Sequence, residues 1–189
     1  MGTKNYLISP ALKAGFIIGS VGISLFMIQY IGGIKPVGIM KPILLMLLGF
    51  SVSIILLVVY IKKHRNDNNG FITFGDAFLF GFIALLVSAF ISSLFNYLFN
   101  QIFDPEYTRS IIEAQKDYME NYLSGKISEE QIQESLDKID EGMNKSVLKQ
   151  SINSLIGGSV FALIVSLIVG AIMKRKQSLF DNQVQEGVD

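Results

Sequence analysis

Ionisable side chains gather at two points beside a long apolar run. Thr73-Phe74-Gly75-Asp76 precede it, and Asp104, Glu106 and Tyr107 follow it. A carboxylate at a membrane boundary is suited to holding a cation or a partner. For Asp76 the spacing offers a second account. Thr73-x-x-Asp76 before an apolar run is a capping box: the Thr73 hydroxyl accepts from the Asp76 N–H, and the Asp76 carboxylate reaches back to the Thr73 N–H. The charge then lies at the positive end of the helix dipole. We take Thr73 and Asp76 as a helix cap, with an ion or partner contact as the alternative.

Beyond the run, the carboxylates of residues 104–149 would suit a cation site or a pair of acids for glycosidic chemistry. No loop there carries the alternating oxygen ligands and central Gly of a calcium site, so a solvated acidic face is the plainer account. Lipid-headgroup chemistry at Asp104, Glu106 and Tyr107 is the remaining enzymatic reading. The chain has no Cys and a single His, His64, in the stretch KKHR. That excludes disulfides, thiol chemistry and any site needing two histidines. We expect no catalytic residues, no metal and no cofactor.

The elements that position these groups are apolar. Half of the 189 residues are hydrophobic and 17% are charged; the mean hydropathy is +0.45. The formal net charge is zero, so there is no basic footprint for nucleic acid. Four stretches, 14–34, 42–61, 77–103 and 150–173, contain no Asp, Glu, Lys, Arg or His. A helix rising about 1.5 Å per residue crosses a core of about 30 Å in roughly 20 residues, so each is long enough to span a bilayer. The first is not read as a cleaved signal, because it is long and no small-residue cleavage site follows it.

Positive charge orients the spans. KKHR lies between the second and third, KRK at 174–176 follows the fourth, and Lys4 and Lys13 precede the first. Both termini are therefore placed in the cytoplasm and 104–149 outside, with Lys35 and Lys41 opposing. Within the insert, Asp104-Pro105-Glu106 opens a helix running to about Leu123, where Ser124-Gly125 stops it. Ser128 to Gln131 form a second capping box, followed by an apolar face of Ile132, Leu136, Ile139 and Met143. The two helices are expected to form a hairpin.

Small and polar residues recur every four positions inside the spans. Ser154, Gly158, Ala162, Ser166 and Gly170 make a close-packing ladder on the fourth, and Ala11, Gly15 and Gly19 a shorter one on the first. Ala84, Ser88, Ser92, Asn96 and Asn100 make a stripe on the third, growing more polar outward. We expect Asn96 and Asn100 to meet Gln150 and Asn153 across the bundle. Helix packing explains the stripe; a path for a small solute is the alternative. No span carries an ionisable residue in its interior, as a proton relay would need.

Several stretches resemble the domain of unknown function 4199 family: GFITFGDAF at 70–78, FNYLFNQIFDPEY at 95–107, ISEEQIQESLD at 127–137 and IVGAIMKRK at 168–176. The likeness extends over about residues 11–176. It implies a small bacterial inner-membrane protein with four membrane helices and a periplasmic insert, mostly found in Bacteroidota; the family has no established activity and no catalytic residues to carry over. The expected fold is all-α: a single membrane domain, 1–189, with a four-helix bundle and an extracytoplasmic helical hairpin between spans three and four. The expected function is that of a structural or accessory protein acting through helix–helix contacts in the lipid bilayer, with itself or a membrane-protein partner. A small-solute channel or transporter is the alternative.

Overall fold

The computed structural model describes residues 5–123, 126, 128–143 and 146–175. It is all-α. Among the described residues six α-helices follow one another: α1 (Asn5–Ile31), α2 (Met40–Asp67), α3 (Phe74–Leu98), α4 (Pro105–Tyr118), α5 (Glu129–Met143) and α6 (Val147–Met173). Four of them, α1, α2, α3 and α6, are long and apolar enough to cross a membrane. Lys4, Ser124-Gly125, Asn144, Lys145 and Lys176 lie outside the described residues.

The helices outrun the uncharged stretches. α1 begins before Lys13, and α2 carries KKHR on its last turns instead of in a loop. Basic residues suit that position, because the C-terminal end of a helix dipole is negative. His64 is consequently not a loop residue: it is buried, with its ring stacked against Tyr6. The chain then turns at Asn69 and Gly70, both in the left-handed region, at φ 55° and 79°. Ile72 pairs antiparallel with Arg175, tying this turn to the end of α6.

Three of the four long helices pack as a unit with α3 in the middle. A Cβ at Gly15 would lie 2.5 Å from the Ala84 carbonyl oxygen, and one at Gly170 3.0 Å from the Phe78 nitrogen. Only glycine admits α3 this closely on both sides. The predicted ladder on α6 is the seam: Ala162, Ser166 and Gly170 are buried, and Gly158 meets Ala89. Ser154, at its far end, is exposed. Lipid tails are as apolar as leucine, so shape fit and interhelical bonds hold membrane helices together.

α2 stands apart. In the apolar stretches of α1, α3 and α6, 28% of the residues are buried; in that of α2, 6%. Its buried residues, Leu57, Ile61 and His64, all sit in its second half. It lacks a small-residue ladder, and nothing approaches within 4 Å of the position a Cβ would take at Gly49.

Opposite outcomes follow for two glycine substitutions. Gly15→Ala should cost about 1–3 kcal/mol, the usual range for overpacking. Gly49→Ala should be neutral or slightly stabilising. Thermal denaturation in mild detergent checks both; equal effects would contradict the packing described.

Candidate functional site

At the bundle end that carries α4 and α5, polar and aromatic groups converge. Phe99 is 1% exposed and forms their centre. The rings of Phe26 and Tyr30 from α1 meet it edge-on at 5.0 Å, and Tyr107 from α4 does so at 5.7 Å. Edge-to-face contact suits aromatic quadrupoles and is worth about 0.5–1.5 kcal/mol per pair. Tyr30 donates its hydroxyl to the Asp104 carboxylate at 2.9 Å. Asp104 stands at the N-cap of α4 as the sequence indicates, but its side chain caps nothing. It bonds Tyr30 instead, joining α4 to α1.

Asn100 organises the same junction. Its side-chain amide donates to the Asn96 carbonyl at 2.9 Å, the oxygen its own backbone N–H would use in an α-helix. The ladder widens here to a π-helical turn, Phe99–Phe103, in which Asp104 N–H reaches the Phe99 carbonyl at 2.9 Å. A side chain inserted into the backbone ladder is a known cause of such distortion. Thr108 on α4 donates to the Asn100 carboxamide oxygen, closing the clamp. The α1–α2 loop joins through the Gly38 N–H, which donates to Gln115 at 2.7 Å.

Asn100 is engaged by Asn96 and Thr108, and Asn153, expected opposite it, is exposed. The π-turn brings Asn100 to α4. Gln150 is half-buried at the start of α6. An α3–α6 bond runs through a residue the four-residue stripe skipped, with Ser93 donating to the Ser151 carbonyl at 2.6 Å. The rest of the stripe faces crevices. Ser92, Asn96 and Ser154 line one of about 170 Å³ beside Gly22 and Phe26. Ser88 lines another of about 270 Å³, with Gly49, Phe50 and Ser53 of α2 on its far wall.

At the opposite end the Thr73 hydroxyl accepts from the Asp76 N–H at 3.1 Å and donates to the Asp76 carboxylate at 2.7 Å. The expected return bond from Asp76 to the Thr73 backbone is thus made to the hydroxyl. Asp76 also lies within electrostatic reach of Tyr6 and His64. Outside the spans, the Ser128 box is reciprocal with Gln131, both bonds at 3.3 Å, and Lys116 of α4 forms an ion pair with Asp140 of α5. Lys138 bonds Glu134 at 2.6 Å and holds its carboxyl below the usual range. Among the described residues, no three His, Asp or Glu side chains converge as metal ligands would.

Sequence reasoning missed Tyr30, Thr108 and Phe26. The signal was present in part: Phe26 and Tyr30 are four apart, so they share a helix face. Thr108 carried none.

With this geometry established, the family is plain. The family model "Protein of unknown function (DUF4199)" matches residues 13–175, and the chain belongs to that family. No curated protein and no solved structure matches it. It is a multi-span membrane protein of a family without assigned function.

Burial raises the Tyr107 phenol above its ordinary value, and the Asp104 charge raises it further. The protonated phenol therefore contributes stability below about pH 10, and that contribution is lost as pH rises through the folded value. Asp104→Asn should bring the Tyr107 titration part-way back, since burial is the larger cause. Ultraviolet difference titration against Tyr107→Phe reads this; no change would place Asp104 away from the ring.

Proposed function

We infer that this chain is a structural or accessory membrane protein that works by contacting another membrane protein or a second copy of itself, and that it is not an enzyme. One observation carries the inference. The α6 ladder is occupied by α3, whereas only 6% of the apolar stretch of α2 is buried in the fold. A helix so weakly held by its own fold is the element best placed for an intermolecular contact. Leu44, Leu48 and Ile55, all exposed and on one face of α2, offer the surface for a partner helix. The solute path is the weaker reading, because Asn100 and Ser93 are committed to bonds within the protein.

In this reading the basic stretches at 62–65 and 174–176 face the cytoplasm of a bacterial inner membrane. α4 and α5 then form an extracytoplasmic hairpin, supported by the Lys116–Asp140 pair.

Affinity purification from native membranes in mild detergent, with mass spectrometry of the intact assembly, tests the proposal. A stoichiometric partner or second copy should elute with the wild type and be lost from Leu48→Trp, with the melting temperature unchanged. A lone monomer would contradict it. Solute flux in liposomes that Asn96→Leu and Asn100→Leu abolish would favour the channel.

A further inference from the structure

The bundle end opposite α4 concentrates cations: Lys13 on α1, Lys62, Lys63 and Arg65 on α2, and Lys174 and Arg175 after α6. All four ion pairs among the described residues lie on α4 and α5, so none neutralises this group. Two of the cations share one cleft. Lys13 and Lys63 line a space of about 110 Å³ together with Pro10, Tyr60, Phe80 and one carboxylate, Asp67. The buried His64 ring forms another wall, fixed by Tyr6 stacked at 5.7 Å and Phe80 tilted at 5.1 Å.

Depth and charge specify what fits. Lys13 stands one residue before the uncharged run of span one, and Lys63 two residues after that of span two. Both ammonium groups therefore sit at the level of lipid headgroups. Two lysines and one aspartate give the cleft a net charge of one positive unit. Its volume is well below the roughly 300–1,000 Å³ of a pocket that encloses a whole small molecule. It suits a single group whose remainder stays in the bilayer. The apolar wall of Tyr60 and Phe80 has no use for a free anion, but lies where an acyl chain begins.

We propose that this cleft binds the phosphodiester of an anionic glycerophospholipid, with Lys13 and Lys63 on the phosphate oxygens and Tyr60 and Phe80 along the first methylenes of a chain. Basic pockets between membrane helices hold lipid headgroups by this chemistry. The site does not depend on the accessory reading; it holds whether or not α2 meets a protein partner.

The full chain, released from phosphatidylglycerol nanodiscs into a native mass spectrometer, gives the test. One retained lipid per chain is expected, with phosphatidylcholine retained less. Lys13→Ala and Lys63→Ala should each weaken retention about fivefold, and the pair on the order of thirtyfold. Lys62→Ala removes the same charge outside the cleft and should have little effect, while Asp67→Asn should strengthen retention. All three lysines are exposed, so the variants keep their fold, which circular dichroism verifies. No retained lipid, equal loss with Lys62→Ala, equal retention of phosphatidylcholine, or displacement by millimolar inorganic phosphate would each overturn the proposal.

Discussion

Absent side chains let α3 lie in direct contact with two neighbours at once. At Gly15 and Gly170 the backbones of α1 and α6 reach that of α3 so closely that one methyl group would collide with main-chain atoms. In water such a seam would assist a hydrophobic effect that already drives helices together. In lipid that drive is missing, and close fit, with a few interhelical bonds such as Ser93 to Ser151, takes its place. The other features follow from this. α3 is fixed, so Phe99 and Asn100 at its end provide a platform for α4. α2, without a ladder of its own, has its buried residues only in its second half.

The two ends of the bundle solve different problems. At one, α4 is anchored to the spans by an aromatic cluster and by two polar links, Tyr30 to Asp104 and Thr108 to Asn100. These are directional, so they fix the angle at which the polar segment leaves the membrane. At the other, the Thr73 cap starts α3 and the Ile72–Arg175 pairing closes the turn onto α6. Among the described residues the cations there form no ion pair, and they outnumber the acidic side chains beside them.

Much of this was legible in the sequence because membrane spans obey simple rules. Uncharged length located four helices, and four-residue spacing located Gly158 to Gly170 on the packed face. The Thr73 and Ser128 caps were readable because their partners lie three residues away. What was hidden depends on rotation. A π-turn at Phe99–Phe103 brings Asn100 to Thr108 on α4, and no periodicity announces a break in periodicity. His64 was hidden for a related reason. KKHR is charged enough to resemble a loop, yet it continues α2 and buries one face.

The central claim is that α1, α3 and α6 form one closely packed unit. The chain has no native cysteine, so a disulfide reports on it without background. A Cβ at Gly19 would lie 3.3 Å from that of Ile91, close to the roughly 3.5–4.5 Å a disulfide requires. Oxidation of Gly19→Cys/Ile91→Cys in native membranes should give an intrachain link in most molecules, seen as a mobility shift that reductant reverses. Free thiols, or links only between chains, would contradict the packing on which the account rests.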